Sequence, residues 1–93
     1  MRHAGGAALD HLEPLLARLR QIARLKERTR GVFYLKSKAF LHFHEDPAGL
    51  FADIRAADGL AFDRYQIDSA SAQEALAEAA VMRARQFLGA YAP

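Results

Sequence analysis

His42 and His44 are separated by one residue in a stretch whose apolar and polar residues alternate. Residues two apart in a β-strand point to the same face, so both imidazoles lie on one side of the predicted strand. Paired imidazoles can chelate a divalent metal when a third ligand approaches, and the expected pairing places Asp53 opposite His42. Arg64 is predicted on the other side of Asp53 and competes for its carboxylate. The sequence therefore assigns no metal site and no cofactor.

Other catalytic chemistry finds little support in the residues. Ser37 lies in a lysine-flanked turn, while Ser69 and Ser71 precede a predicted helix, where capping explains them. A pair of His42 and Asp53 can orient a general base, but no signature names a nucleophile or a pocket for it. The sequence contains no cysteine and no glycine-rich phosphate loop. We therefore expect a protein that is not an enzyme and has no catalytic residues.

These side chains must be positioned by strands. From residue 32 to residue 67 the hydrophobic period is two, with turn signals at Asp46-Pro47-Ala48-Gly49 and at Asp58-Gly59. The pattern predicts four strands, at about 32–35, 39–45, 50–55 and 60–67.

Two helices flank the predicted strands. Apolar residues at helical spacing predict a first helix over about 12–28, and a second over about 72–88 follows the capping-box pair Ser71 and Glu74. The fold class expected is α+β: a two-layer αββββα domain with a four-stranded antiparallel meander and both helices packed on one face. Residues 1–9 are expected to be a frayed N-terminus, and residues 10–93 a single domain.

The predicted register divides the sheet into two faces. One face is apolar and suits two helices. The other face is expected to be uncovered, and a contiguous aromatic surface of this kind usually marks a contact site. The predicted interaction surface consists of Tyr34, Phe40, His42, His44, Phe51, Arg55, Phe62 and Arg64. We expect it to bind a second copy as a homodimer, or another protein; cross-strand stacking that only stabilises the sheet is the alternative explanation.

A basic segment between residues 18 and 38 suggests a second partner class. Its eight basic residues against Glu27 alone give a charge of +7, although the whole chain carries only +2. Such asymmetry can indicate nucleic acid, but it is also ordinary on the solvent face of a helix. The residues of this nucleic-acid alternative are Arg18, Arg20, Arg24, Lys26, Arg28, Arg30, Lys36 and Lys38.

Residues 31–46 and 49–55 resemble short uncharacterised bacterial α+β proteins and, more distantly, the MmcQ/YjbR-like group. The resemblance spans about residues 30–67 and consists of hydrophobic pattern and turns. It implies a compact α+β fold and a suggested DNA-binding role, and it carries no functional residue over to this chain. No stretch reaches the roughly 20 apolar residues of a membrane helix, so we expect a cytoplasmic protein without a membrane partner.

Overall fold

The computed structural model describes residues 1–89. The protein is α+β, with one antiparallel sheet and three helices. The elements are β1 (Arg2–His3), α1 (Gly6–His11), α2 (Glu13–Leu19), β2 (Leu25–Thr29), β3 (Val32–Leu35), β4 (Lys38–Asp46), β5 (Gly49–Arg55), β6 (Phe62–Gln66) and α3 (Ala70–Gly89).

The strands follow the order β2-β3-β4-β5-β6, with β1 beside the second half of β4. Strand β4 is long enough to serve two neighbours on the same edge. Its first half pairs with β3, ending at Phe33 opposite Leu41, and its second half pairs His44 with His3. The sheet therefore has six strands where the sequence predicted four.

The predicted register of β4, β5 and β6 is confirmed. His42 pairs with Asp53, and Asp53 pairs with Arg64. The turn between β4 and β5 is closed by the Asp46 carboxylate, which accepts a hydrogen bond from the Ala48 N–H. The loop before β6 is longer than the expected two residues, because the N–H of Ala56 donates to the Ala61 carbonyl and β6 begins only at Phe62.

One core joins the helices to one face of the sheet. Leu12, Leu16 and Leu19 are fully buried, as is Leu76 of α3. They form a single cluster with buried side chains of the strands, namely Phe33, Leu35, Leu41, Phe43, Ala52 and Ile54. All three helices within residues 1–89 contribute to this core, and in that part of the chain no helix covers the opposite face of the sheet.

The long first helix was predicted wrongly. Residues 12–28 form the junction between α1 and α2 at Leu12, all of α2, a turn and most of β2. Helix α2 ends at Leu19, and Arg24, with φ of +69°, lies in the following turn. Leu25 then enters the core as part of a strand paired with β3. Lys26, Glu27 and Arg28 are all charged, so no apolar period identifies residues 25–28 as a strand, and pairing with β3 decides their conformation.

Residues 1–9, expected to be frayed, form β1 and most of α1. The Ala4 N–H donates to the Phe43 carbonyl at 3.0 Å, and the Gly5 N–H donates to the Glu45 carboxylate at 2.6 Å. Leu9 is buried in the core. These contacts attach the start of the chain to the far end of β4.

The second predicted helix is confirmed as α3. It begins at Ala70, two residues earlier than expected, and Ser69 Oγ accepts a hydrogen bond from the Ala72 N–H. Residues 90–93 of the predicted domain lie outside the described part of the chain. Among residues 1–89, none of the helices combines the length and the apolar character needed to cross a membrane.

Candidate functional site on the open sheet face

The open face is the surface of the sheet opposite the helices. The strand registers place seven of the eight predicted interaction residues on it. They are Tyr34, His42, His44, Phe51, Arg55, Phe62 and Arg64. Asp53 lies at the centre of this face and is 6% exposed.

Phe40 is the exception, and its placement corrects the prediction. The register of β3 and β4 shifts between Phe33 and Tyr34, which pair with Leu41 and Ala39, so Phe40 is the extra residue of a bulge. Phe40 is 1% exposed and meets Phe87 of α3 edge to face, with ring centroids 6.3 Å apart. The phenyl ring therefore belongs to the core.

Three imidazoles meet on the open face, because β1 adds His3 to the predicted pair. Strand pairing sets His3 beside His44, and their rings stack with centroids 4.8 Å apart. The His42 centroid lies 5.0 Å from that of His44 and 5.9 Å from that of His3. We call His3, His42 and His44 the imidazole cluster.

Asp53 lies beside this cluster and is paired with Arg64. Arg64 donates to both carboxylate oxygens, Nε to Oδ1 at 2.7 Å and Nη2 to Oδ2 at 2.8 Å. These bonds hold the pKa of Asp53 below its ordinary value, against an opposing effect of burial. His44 Nε2 lies 3.1 Å from Oδ2, so the carboxylate joins the arginine to the imidazole cluster.

His42 occupies a half-buried position that favours an uncharged ring. Burial lowers the pKa of His42 first, and the neighbouring His44 lowers it further. Within residues 1–89, the Nδ1 atoms of His42 and His44 are both buried and make no hydrogen bond. A buried polar atom without a partner is uncommon and needs a physical explanation.

Phe62 forms a second layer of contacts over the same strands. Its ring stacks on His42 at 5.1 Å between centroids, and the Arg55 guanidinium carbon lies 4.9 Å from its centroid. Arg55 is fixed by donating to the carbonyls of Ala39 and Gly59, each at 2.7 Å. Phe62 nevertheless remains 37% exposed. Cross-strand stacking and an accessible ring therefore occur together.

The basic segment is divided among several places. Three of its members are engaged in ion pairs: Arg18 with Glu74, Arg20 with Glu13 and Glu27, and Arg30 with Asp10 and Glu13. Arg24 lies in the turn before β2, and Lys36 and Lys38 lie at the turn between β3 and β4. The expected basic helix does not form.

Lys26 and Arg28 belong to the open face. Lys26 pairs with Tyr34 across β2 and β3, and the Arg28 guanidinium carbon lies 4.4 Å above the centre of the Tyr34 ring. Because residues 25–29 form a strand, Lys26 and Arg28 of the basic segment lie on the same surface as Tyr34.

Sequence reasoning missed His3, Lys26 and Arg28 as members of this face. His3 is 39 residues from His42, and a two-residue strand has no periodicity that could predict its pairing. Lys26 and Arg28 gave no strand signal either, because Lys26, Glu27 and Arg28 are all charged and do not alternate with apolar residues.

Comparisons of the chain with protein-family models, curated proteins and solved structures find no match in any of the three. The similarity to the MmcQ/YjbR-like group stays a prediction.

Proposed function

We propose that the protein is a non-enzymatic interaction module that self-associates, two open faces packing together around a two-fold axis. The observation that supports this most is the uncovered, structured face of a sheet whose helices all contribute to the opposite side. A two-fold dimer covers such a patch with an identical patch, which is the simplest closed assembly.

The centre of the open face suits burial in an interface. The charge of Asp53 is compensated by two hydrogen bonds from Arg64, and His42 favours its neutral form. Phe51 and Phe62 supply aromatic surface between them. Interfaces commonly have an apolar, aromatic centre depleted of net charge and a polar rim, and the open face has this distribution.

The two edges of the sheet differ in charge. Exposed Arg24, Lys26 and Arg28 lie at β2, whereas β6 carries one exposed charge of each sign, Asp63 and Arg64, and is flanked by exposed Asp58 and Asp68. A two-fold axis parallel to β4 places β2 of one copy over β6 of the other, because these strands are at opposite ends of the sheet order. Charge complementarity therefore favours a second copy in this orientation.

The decisive experiment is sedimentation of wild type and Phe62→Arg at low and high micromolar concentrations. We expect wild type to change from monomer towards dimer. Phe62→Arg should remain monomeric, because it adds a positive charge to β6, which the proposed dimer places over the basic β2 of the other copy. Met82→Arg is the matched control, since Met82 is 65% exposed on α3 and away from the open face.

Three results would contradict self-association through this face. They are a monomeric wild type at high concentration, a dimeric and folded Phe62→Arg variant, or a loss of dimer in Met82→Arg alone. Dimer affinity should also fall as salt rises, because charge pairing between the edges is screened.

A second candidate function, nucleic-acid binding, is favoured by one specific contact. Arg28 stacks on Tyr34 beside Lys26, which combines a ring for base stacking with cations for phosphates on one surface. Single-stranded nucleic acid should then bind wild type at low salt, and Tyr34→Ala should lose on the order of 1–3 kcal/mol. Equal binding by wild type and Tyr34→Ala, or no binding by wild type, would contradict this candidate.

A further inference from the structure

We propose that His3, His42, His44 and Asp53 form a binding site for a divalent cation of the zinc class, with three imidazole nitrogens and one carboxylate oxygen. The site lies within one chain, so it does not depend on the proposed self-association. Imidazole and carboxylate ligands in this ratio suit zinc and cobalt.

The spacing of the rings agrees with one shared ion. Three imidazoles around a tetrahedral zinc, each with a Zn–N distance of about 2.0 Å, place their ring centres about 5 Å apart. The centroid separations in the imidazole cluster are 4.8, 5.0 and 5.9 Å. His3 is exposed, so its ring can turn towards the ion without disturbing the core.

The donor atoms of the strands are already close together. One ligand atom from each of His42, His44 and Asp53 lies within 4.8 Å of the others. His44 Nε2 and Asp53 Oδ2 are 3.1 Å apart, a separation typical of two ligands on one ion with bonds of about 2.0–2.2 Å. Small rotations of these three side chains would bring their donor atoms to bonding distance of one cation.

The buried Nδ1 atom of His42 gives a second reason to expect a ligand, whereas His44 already places its Nε2 atom beside the Asp53 carboxylate. In a neutral imidazole one ring nitrogen carries a proton, and the other has the lone pair that can bind a metal. A buried nitrogen of this kind without a hydrogen-bond partner is destabilising. A cation that satisfies such an atom removes the destabilisation.

Arg64 opposes metal binding. Its removal should therefore raise the metal affinity, whereas removal of a ligand should lower it. Its guanidinium occupies both Asp53 oxygens and places a positive charge beside the proposed cation. Arg64 is itself exposed, so its removal leaves the core intact. Arg64→Ala should therefore raise the metal affinity, because it frees both Asp53 oxygens and removes a positive charge beside the ion. Unfolding cannot imitate a gain of affinity.

The experiment is a titration with cobalt(II), whose visible absorption reports tetrahedral coordination, followed by displacement with zinc. It is done above pH 6.5, the ordinary pKa of an imidazole. We expect one ion per chain in wild type and no tetrahedral absorption in His42→Ala or His44→Ala. His11→Ala is the matched control, because His11 lies on α1 outside the imidazole cluster and should bind as wild type does.

The outcomes separate this site from the proposed dimer. Titration of wild type at low micromolar concentration, where the protein is expected to be monomeric, should still show one ion per chain. No cobalt or zinc binding by wild type overturns the site, whatever the oligomeric state. Equal loss in His11→Ala and His42→Ala, or an Arg64→Ala affinity at or below that of wild type, also overturns it.

Discussion

Strand β4 presents two different surfaces from adjacent residues. Leu41 and Phe43 are 1% and 2% exposed and pack under the helices, whereas His42 and His44 lie on the open face beside Asp53. Both surfaces are ordered, but by different interactions. Apolar burial orders the covered face, and hydrogen bonds, ring stacking and charge pairing order the open face.

The difference shows why the open face is the candidate for binding. A core side chain has no surface left for a partner, while Phe62 stacks on His42 and Arg55 and still exposes 37% of its area. Its neighbours hold the ring in place before a partner arrives, which reduces the conformational entropy lost on binding.

Phe40 and Phe62 provide the largest test of the comparison. Strict alternation places both rings on the open face, but the bulge in β4 buries Phe40 at 1% exposure. Phe40→Ala should lower the free energy of unfolding by about 3–5 kcal/mol, and Phe62→Ala by less than about 1 kcal/mol. Urea unfolding at low protein concentration measures both. Equal effects of the two substitutions would mean that the covered and open faces do not differ in this way.

Asp53 should produce the next largest effect. Asp53→Ala removes the two carboxylate oxygens that accept hydrogen bonds from Arg64, and it leaves His44 Nε2 without its neighbouring carboxylate. We therefore expect the free energy of unfolding to fall by about 2 kcal/mol. Asp63→Ala is the matched control, because Asp63 is half exposed and lies near Arg83 at 3.3 Å. Chemical denaturation compares the two variants. A smaller loss in Asp53→Ala than in Asp63→Ala would contradict the central position of the Asp53–Arg64 pair.

The pH dependence of stability should reveal His42. Its folded-state pKa is lowered by burial, so below 6.5 the unfolded chain binds this proton more readily than the folded chain. Stability should decline as pH falls through 6.5, and the decline should end below the folded-state pKa. Asp53 does not contribute to it, since its lowered pKa leaves its stabilisation in place until pH falls below 3.8.

His42→Gln, which carries no titratable group at this position, should show a shallower decline over the same pH range. Denaturant midpoints measured on both proteins across pH 6.5 test this. Identical pH profiles would show that His42 titrates alike in the folded and unfolded chain.

Arg28 should give the smallest effect. It lies 4.4 Å above the Tyr34 ring, and exposed cation–π contacts contribute about 0.5–1 kcal/mol. Arg28→Ala should therefore change the free energy of unfolding by no more than this, as measured by thermal unfolding. A loss as large as that of Asp53→Ala would indicate a structural role for Arg28 that the contact with Tyr34 does not explain.

The strand pairs from β4 to β6 could be predicted from sequence because each connection is short and alternation leaves one acceptable register. His42, His44 and Asp53 followed directly from that register. The bulge at Phe40 could not be predicted, since an inserted residue changes faces without a distinctive residue type.

The remaining errors have tertiary causes. Leu25 is followed by three charged residues, which carry no strand period, and only pairing with β3 makes this segment a strand. β1 has two residues, so its place beside β4 follows from contacts such as Arg2 with Glu45 at 3.0 Å rather than from a local pattern. His3 belongs to the candidate site because β1 pairs with β4.

The most direct test of the open face as the binding surface is an amide NMR dilution series across the micromolar range. Concentration-dependent shifts should be confined to strand residues of the open face, including Tyr34, Phe51 and Phe62, and absent from the exposed side of α3 around Met82. Shifts confined to α3, or no shift at any concentration, would contradict self-association through the open face.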